Sequence, residues 1–188
     1  LNSLGDKDCF KDDPLYISFD FGSTQNCCIV AQRRTSLNTF PTIKNFYVEH
    51  ESLSVLVRQF TDYYRYHRNK TVYLYGGSDG TRKNDAISRQ SYFSEVEKWM
   101  GEAGWTVVRK YHTHEVGHMD KFLFFSKYLA GDYPYLPRFS INGNNAMECF
   151  VSMKNAPVKD QEIRKDKSSE RDDSIPRWKA TDLSDAWD

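Results

Sequence analysis

The segment "LYISFDFG", Leu15 to Gly22, alternates along its length. As an extended strand it puts Ile17, Phe19 and Phe21 on one face and Tyr16, Ser18, Asp20 and Gly22 on the other. "CCIVAQRR" (Cys27 to Arg34) and "TFPTIKNFYVE" (Thr39 to Glu49) read as two further strands, with turn-like "STQN" and "TSLN" between the three. Connections this short predict an antiparallel meander. From Ser52 the period changes: Leu53, Leu56, Val57, Phe60 and Tyr64 recur at helical spacing, predicting a helix to about His67. The strand "TVYLYG" and a glycine-rich loop "GGSDGTRKND" come next. A second amphipathic helix then carries Tyr92, Val96, Trp99, Met100 and Ala103 on one face and stops at Gly104. "GWTVVRKY" (Gly104 to Tyr111) is strand-like, and helices are expected over Gly117 to Leu129 and from about Asn144 to Lys154. The order β-β-β-α-β-α-β-α predicts an α/β fold with one mixed sheet, its first three strands antiparallel, flanked by helices.

Residues 1–14 are set apart as an N-terminal extension, and 15–188 as one domain. From Asn155 to Lys179 the composition changes: "KDQEIRKDKSSERDD" is almost entirely polar or charged and is read as a loop or projecting hairpin. Beyond it "WKATDLSDAWD" resumes a helix-like pattern. The start at Leu1 and the stop inside that pattern are read as a piece of something longer.

Composition narrows the partners. Twenty-six basic residues balance twenty-six acidic ones, so any nucleic-acid contact has to come from local patches rather than a global field. No run of about eighteen apolar residues is present, and no membrane role is expected. Cys9, Cys27, Cys28 and Cys149 form no C-x-x-C pair and read as reduced, mostly buried thiols.

Two patterns carry chemistry. The first, "HEVGH" from His114 to His118, spells the H-E-x-x-H signature of zinc proteases. That chemistry needs one helix through all five residues, so that both imidazoles project from one face. The preceding strand and Gly117 argue for a strand-to-helix connection instead, with a helix that begins only after the run. The second pattern is a set of carboxylates. Asp20 sits inside a strand, where a carboxylate is costly unless it is paired or binds a metal. A turn-capping role at Gly22 is the competing reading. Asp79 follows an apolar strand at the end where α/β sheets place their sites, although Ser-Asp-Gly is also common turn chemistry. Asp182 and Asp185, three apart, share a helix face, either as ligands or as an N-cap and first-turn acid. Converging on one edge of the sheet, such acids would need divalent cations to offset their repulsion.

At these residues the sequence resembles the ribonuclease H-like nuclease domain of viral large terminase subunits, which cut concatemeric DNA during packaging. The resemblance rests on "YISFDFGSTQNCCIVAQ", "VYLYGGSDGTRK" and the ending "KDKSSERDDSIPRWKATDLSDAWD". It implies Asp20, Asp79 and Asp185 as catalytic metal ligands, Asp182 as a further ligand, and two Mg²⁺ or Mn²⁺ ions hydrolysing a phosphodiester. Relatives often place the second acid directly after the "YG" of its strand, where this chain has Gly77, and some carry His where Asp182 stands. Arg82, Lys83, Lys165, Lys167, Arg177 and Lys179 are the candidate contacts to double-stranded DNA. The resemblance also implies a packaging ATPase outside this chain, portal and small-subunit partners, and the cytoplasm of a bacterial host. "DFGSTQN" is similar as well to the phosphate-binding turn of Hsp70-like and sugar-kinase ATPases, where Gly22, Ser23 and Thr24 would contact nucleotide. Those proteins need two such lobes. A non-catalytic packaging module is the remaining alternative.

Overall fold

The computed structural model describes residues 9–22, 24–83, 90–111, 114, 116–156, 168 and 174–187. Strands β1 (Leu15–Phe21), β2 (Gln25–Ala31) and β3 (Thr39–Glu49) form the expected antiparallel meander. β4 (Thr71–Gly76) and β5 (Thr106–Arg109) add in parallel on the β1 side. β6 (Arg138–Ile141) pairs in parallel with the far side of β3, which completes the order β5-β4-β1-β2-β3-β6. The sequence pattern did not predict β6. Four residues behind Pro134 and Pro137 are too few to show alternation, and the strand exists because β3 offers it an edge.

The two faces of the sheet are covered by different helices. Helices α1 (Leu53–Tyr63) and α2 (Tyr92–Glu102) pack on the face to which Leu15, Ile17 and Phe19 point. Cys28, Val30, Phe46, Val72 and Leu74 join these residues in the main core. Each large apolar side chain so buried contributes about 1.5–3 kcal/mol. α1 starts at Leu53 as its period predicts but ends at Tyr63 rather than His67. α2 begins behind Ser91, whose Oγ accepts a hydrogen bond from the Ser94 amide at 3.2 Å. Helix α3 is His118–Ala130, α4 is Met147–Lys154 and α5 is Asp182–Trp187. α4 begins three residues later than Asn144, because "NGNN" forms a turn in which Asn142 Oδ1 accepts from the amides of Asn144 and Asn145 at 2.9 and 3.0 Å. α4 and α5 close the second face over a smaller core of Cys27, Ile29, Ala146, Cys149, Leu183 and Ala186.

The described part of the N-terminal extension is tied to the sheet. Gln32, fully buried, accepts from the Phe10 amide and donates to its carbonyl, both at 2.8 Å. Most of 155–179, including Lys165 and Lys167, lies outside the described residues. No helix among the described residues is long and apolar enough to cross a membrane.

His67 locks this corner. Its Nε2 bonds the Asp13 carbonyl at 2.8 Å and its Nδ1 faces Cys9 Sγ at 3.7 Å, which fits a neutral ring that donates from Nε2. Burial pulls its pKa below the usual value. The unfolded chain therefore takes up the proton first, and the stability present above about pH 6.5 is lost as pH falls below it. Thermal melts from about pH 7 to pH 5 are expected to fall more steeply for the parent than for His67→Gln, which keeps an N–H but does not titrate. Parallel curves would show that His67 is not the titrating group.

Candidate metal centre

Asp20 stands where the alternation of β1 placed it, on the face turned away from the main core, half-buried and directly opposite Cys27 of β2. Cys27 reports what surrounds that spot. Its fully buried thiol is pushed well above its ordinary pKa, first by burial and then by the negative fields of Asp20, Asp182 and, more weakly, Asp185. Charges from β1 and from α5 thus both act on one thiol, which Leu183 and Ala186 of α5 cover. Sequence reasoning missed Cys27 because an apolar run conceals which of its members faces the acids. Register alone would have pointed to it.

The acids of α5 are held from beneath. The Ser152 hydroxyl of α4 donates to the Ala180 carbonyl and accepts from the Ser184 amide at 3.1 Å. Ser184 Oγ donates to the Thr181 carbonyl at 2.7 Å, and the Asp185 amide bonds the same carbonyl at 2.9 Å. Trp187 anchors the other end against Phe139 and Phe125, at centroid distances of 4.5 and 4.8 Å. Asp182 is the first residue of α5 and is 4% exposed, so Thr181 occupies the capping position considered above for Asp182.

Asp79 arrives from β4. Phe19 pairs with Gly76, so Gly77 continues β4 alongside Asp20. Asp79 lies two residues further, in a 3-10 turn over Ser78–Thr81. Gly80 allows that turn to lie flat on aromatic rings, since a Cβ there would meet Phe93 at 2.4 Å and Phe21 at 2.6 Å. The Asp79 carboxylate folds back over Gly77, and a Cβ built on Gly77 would stand 2.8 Å from Asp79 Oδ1. Asp79 therefore reaches back toward the position that an acid at residue 77 would occupy. Glu148 of α4 is a fifth acid on this face, close enough to help raise the pKa of Tyr47, which pairs with Cys27.

The donors are all hard carboxylate oxygens, the chemistry that suits a divalent cation such as Mg²⁺ or Mn²⁺. Among the described residues, no three His, Cys, Asp or Glu side chains stand close enough together to enclose an ion as they are. Arg82 and Lys83 are exposed just beyond the Asp79 turn. Arg177 and Lys179 lie in a 3-10 turn shortly before α5, with Lys179 Nζ 5.0 Å from the Trp178 ring. The H-E-x-x-H run does not form a zinc site: His114 lies at a bend and His118 is the first residue of α3, so no helix carries both. The Gly22 amide is spent on the Gln25 carbonyl at 3.0 Å, and Ser23 lies outside the described residues.

No protein-family profile and no curated protein matches the sequence. Solved structures do. The nuclease domain of the P22 large terminase aligns with a TM-score of 0.56 at 13% identity, over 96% of this chain and 90% of that one. The large terminase nuclease of thermophilic phage G20c, solved with bound cobalt, aligns with a TM-score of 0.50 at 12% identity, over 95% and 82%. The chain thus has the fold of large terminase nuclease domains, the ribonuclease H-like mixed sheet expected from its sequence.

Ser152 is the most direct handle on this arrangement. Ser152→Ala leaves two buried backbone groups of the α5 region without their partner and is expected to cost about 1–3 kcal/mol in urea unfolding. An unchanged midpoint would show that α5 is held by its apolar contacts alone.

Proposed function

We propose that the chain is a divalent-metal-dependent DNA endonuclease, the nuclease domain of a viral DNA-packaging terminase that cuts concatemeric double-stranded DNA. The observation that carries this reading is the docking of α5, which bears Asp182 and Asp185, on Cys27, the register partner of Asp20, on one sheet face of a terminase-nuclease fold. In it Asp20, Asp79 and Asp185 are the catalytic ligands and Asp182 a further ligand of two Mg²⁺ or Mn²⁺ ions. Asp79 serves as the displaced second acid, its carboxylate returned over Gly77 by the turn. Bound cations of this kind lower the pKa of water and stabilise the charge on the leaving oxygen.

The chain's own residues do the positioning. Asp20 is fixed by a strand paired on both sides, and Asp182 and Asp185 by a helix bonded to Ser152. Arg82, Lys83, Lys165, Lys167, Arg177 and Lys179 are the proposed phosphate contacts, which hold the scissile bond in line. With zero net charge, binding to duplex DNA is expected to be weak in isolation and low in sequence selectivity. The packaging ATPase, portal and small terminase subunit are the proposed partners, and a bacterial host cytoplasm the proposed location.

Losing a ligand removes the ion together with its chemistry, whereas losing a helix-end acid costs only stability. Asp20→Asn and Asp185→Asn are therefore expected to lower Mn²⁺-dependent plasmid nicking by orders of magnitude with little change in melting temperature. Asp79→Asn should be severe and Asp182→Asn milder. His114→Ala with His118→Ala should stay within a few-fold of the parent. Normal nicking by Asp185→Asn, together with a lower melt, would make it a helix-end residue and refute the site.

A further inference from the structure

The face of the sheet that carries Asp20 is only partly roofed by α4 and α5. Along β1 and β4 it continues as a row of tyrosines, with Tyr16 beside Tyr73 and Ser18 beside Tyr75 in parallel register. The Tyr16 ring stacks on Tyr73 at 4.8 Å and 25° and lies 6.3 Å and 24° from Tyr75, while Phe40 meets its edge at 5.1 Å. Tyr75 is 38% exposed and ends the row next to Asp20, two positions along from its partner Ser18.

Cations flank the row. Lys110 Nζ lies 5.8 Å from the Tyr73 centroid. On the other side Arg33 is near enough to Tyr16 for its charge to work against the rise in the Tyr16 pKa that burial causes. Its guanidinium is fixed by Asn38 Oδ1 at 3.0 Å and the Thr39 carbonyl at 3.3 Å. Past Tyr16 the surface dips into a cleft of about 310 Å³, bordered by Phe10, Asp13, Tyr16, Arg33 and Arg34. Arg34 lies over the Phe10 ring there at 5.0 Å. From Tyr16 to Asp20 is four residues of strand, about 13 Å. The strip therefore runs from carboxylates, past the exposed Tyr75 and the Tyr16–Tyr73 stack, to a cleft with two guanidiniums and one carboxylate.

Duplex DNA hides its base faces inside its own stack, so exposed rings gain nothing from it. Unpaired bases stack on aromatic side chains with little regard to sequence, and cations beside the rings hold the backbone. Tyrosine phenols are neutral near neutral pH and do not repel phosphate. We propose that this strip is a track for a single DNA strand, with unpaired bases on Tyr75, the exposed ring that the Tyr16–Tyr73 stack backs, and phosphates on Lys110, Arg33 and Arg34. The proposal rests on DNA being the ligand of the carboxylate site, and extends it to a strand unpaired beside the cut.

The test is fluorescence anisotropy with labelled oligothymidylate and a duplex of equal length, in EDTA and at low salt. EDTA removes the cations that cleavage needs, so the readout is independent of the nuclease reading, which plasmid nicking decides separately. The parent is expected to prefer the single strand. Tyr75→Ala and Tyr16→Ala should each weaken that binding about fivefold to a hundredfold, while leaving the duplex unaffected. Tyr75→Phe should retain it, because the ring face is what binds, and Lys110→Ala should flatten the salt dependence. Equal affinity of the parent for both DNA forms would overturn the track. So would parent-like single-strand binding by a folded Tyr75→Ala, a variant whose exposed side chain makes it the safest to fold.

Discussion

A six-residue helix has too few internal hydrogen bonds to hold its own place, and the position of α5 depends on what receives it. Ser152 is that receiver: one buried hydroxyl donates to the Ala180 carbonyl and accepts from the Ser184 amide, joining α4 to the turn that starts α5. Leu183 and Ala186 then press into Cys27 and Ile29, and Trp187 closes the far end on β6 and α3. With that docking, the helix that bears Asp182 and Asp185 lies on Cys27, the register partner of Asp20. Without it, the acids of the last helix and the first strand have no common site.

The same docking sets up a conflict. The apolar contacts of α5 carry two carboxylates toward the sheet face that bears Asp20, and carboxylates brought close repel. Asp79 is positioned differently. It comes from a turn resting on Phe21 and Phe93 rather than from the strand itself, so its reach depends on a side chain folded over a glycine.

Much of this was legible in the sequence. The alternation of "LYISFDFG" fixed which face of β1 carries Asp20, and the short turns gave the antiparallel meander. The glycine and β-branched residues around "YHTHEVGH" placed the helix start near Gly117, and α3 begins at His118, which leaves His114 outside it. What was not legible depends on tertiary partners. β6 has no periodicity of its own, and α5 begins at Asp182 because the Thr181 carbonyl accepts its first bond, from the Asp185 amide. Cys27 and Glu148 reach the site through register and helix packing, which local patterns do not encode. The tyrosines of β4 were legible only as strand formers, since their common line with Tyr16 appears once β4 pairs in parallel with β1.

The central claim is that carboxylates from β1 and α5 jointly hold divalent cations. Anomalous diffraction at the manganese edge, from crystals soaked in Mn²⁺, tests it most directly. The account predicts one or two peaks in contact with both Asp20 and Asp185. Manganese bound instead at His114 and His118, with none beside Asp20, would contradict it.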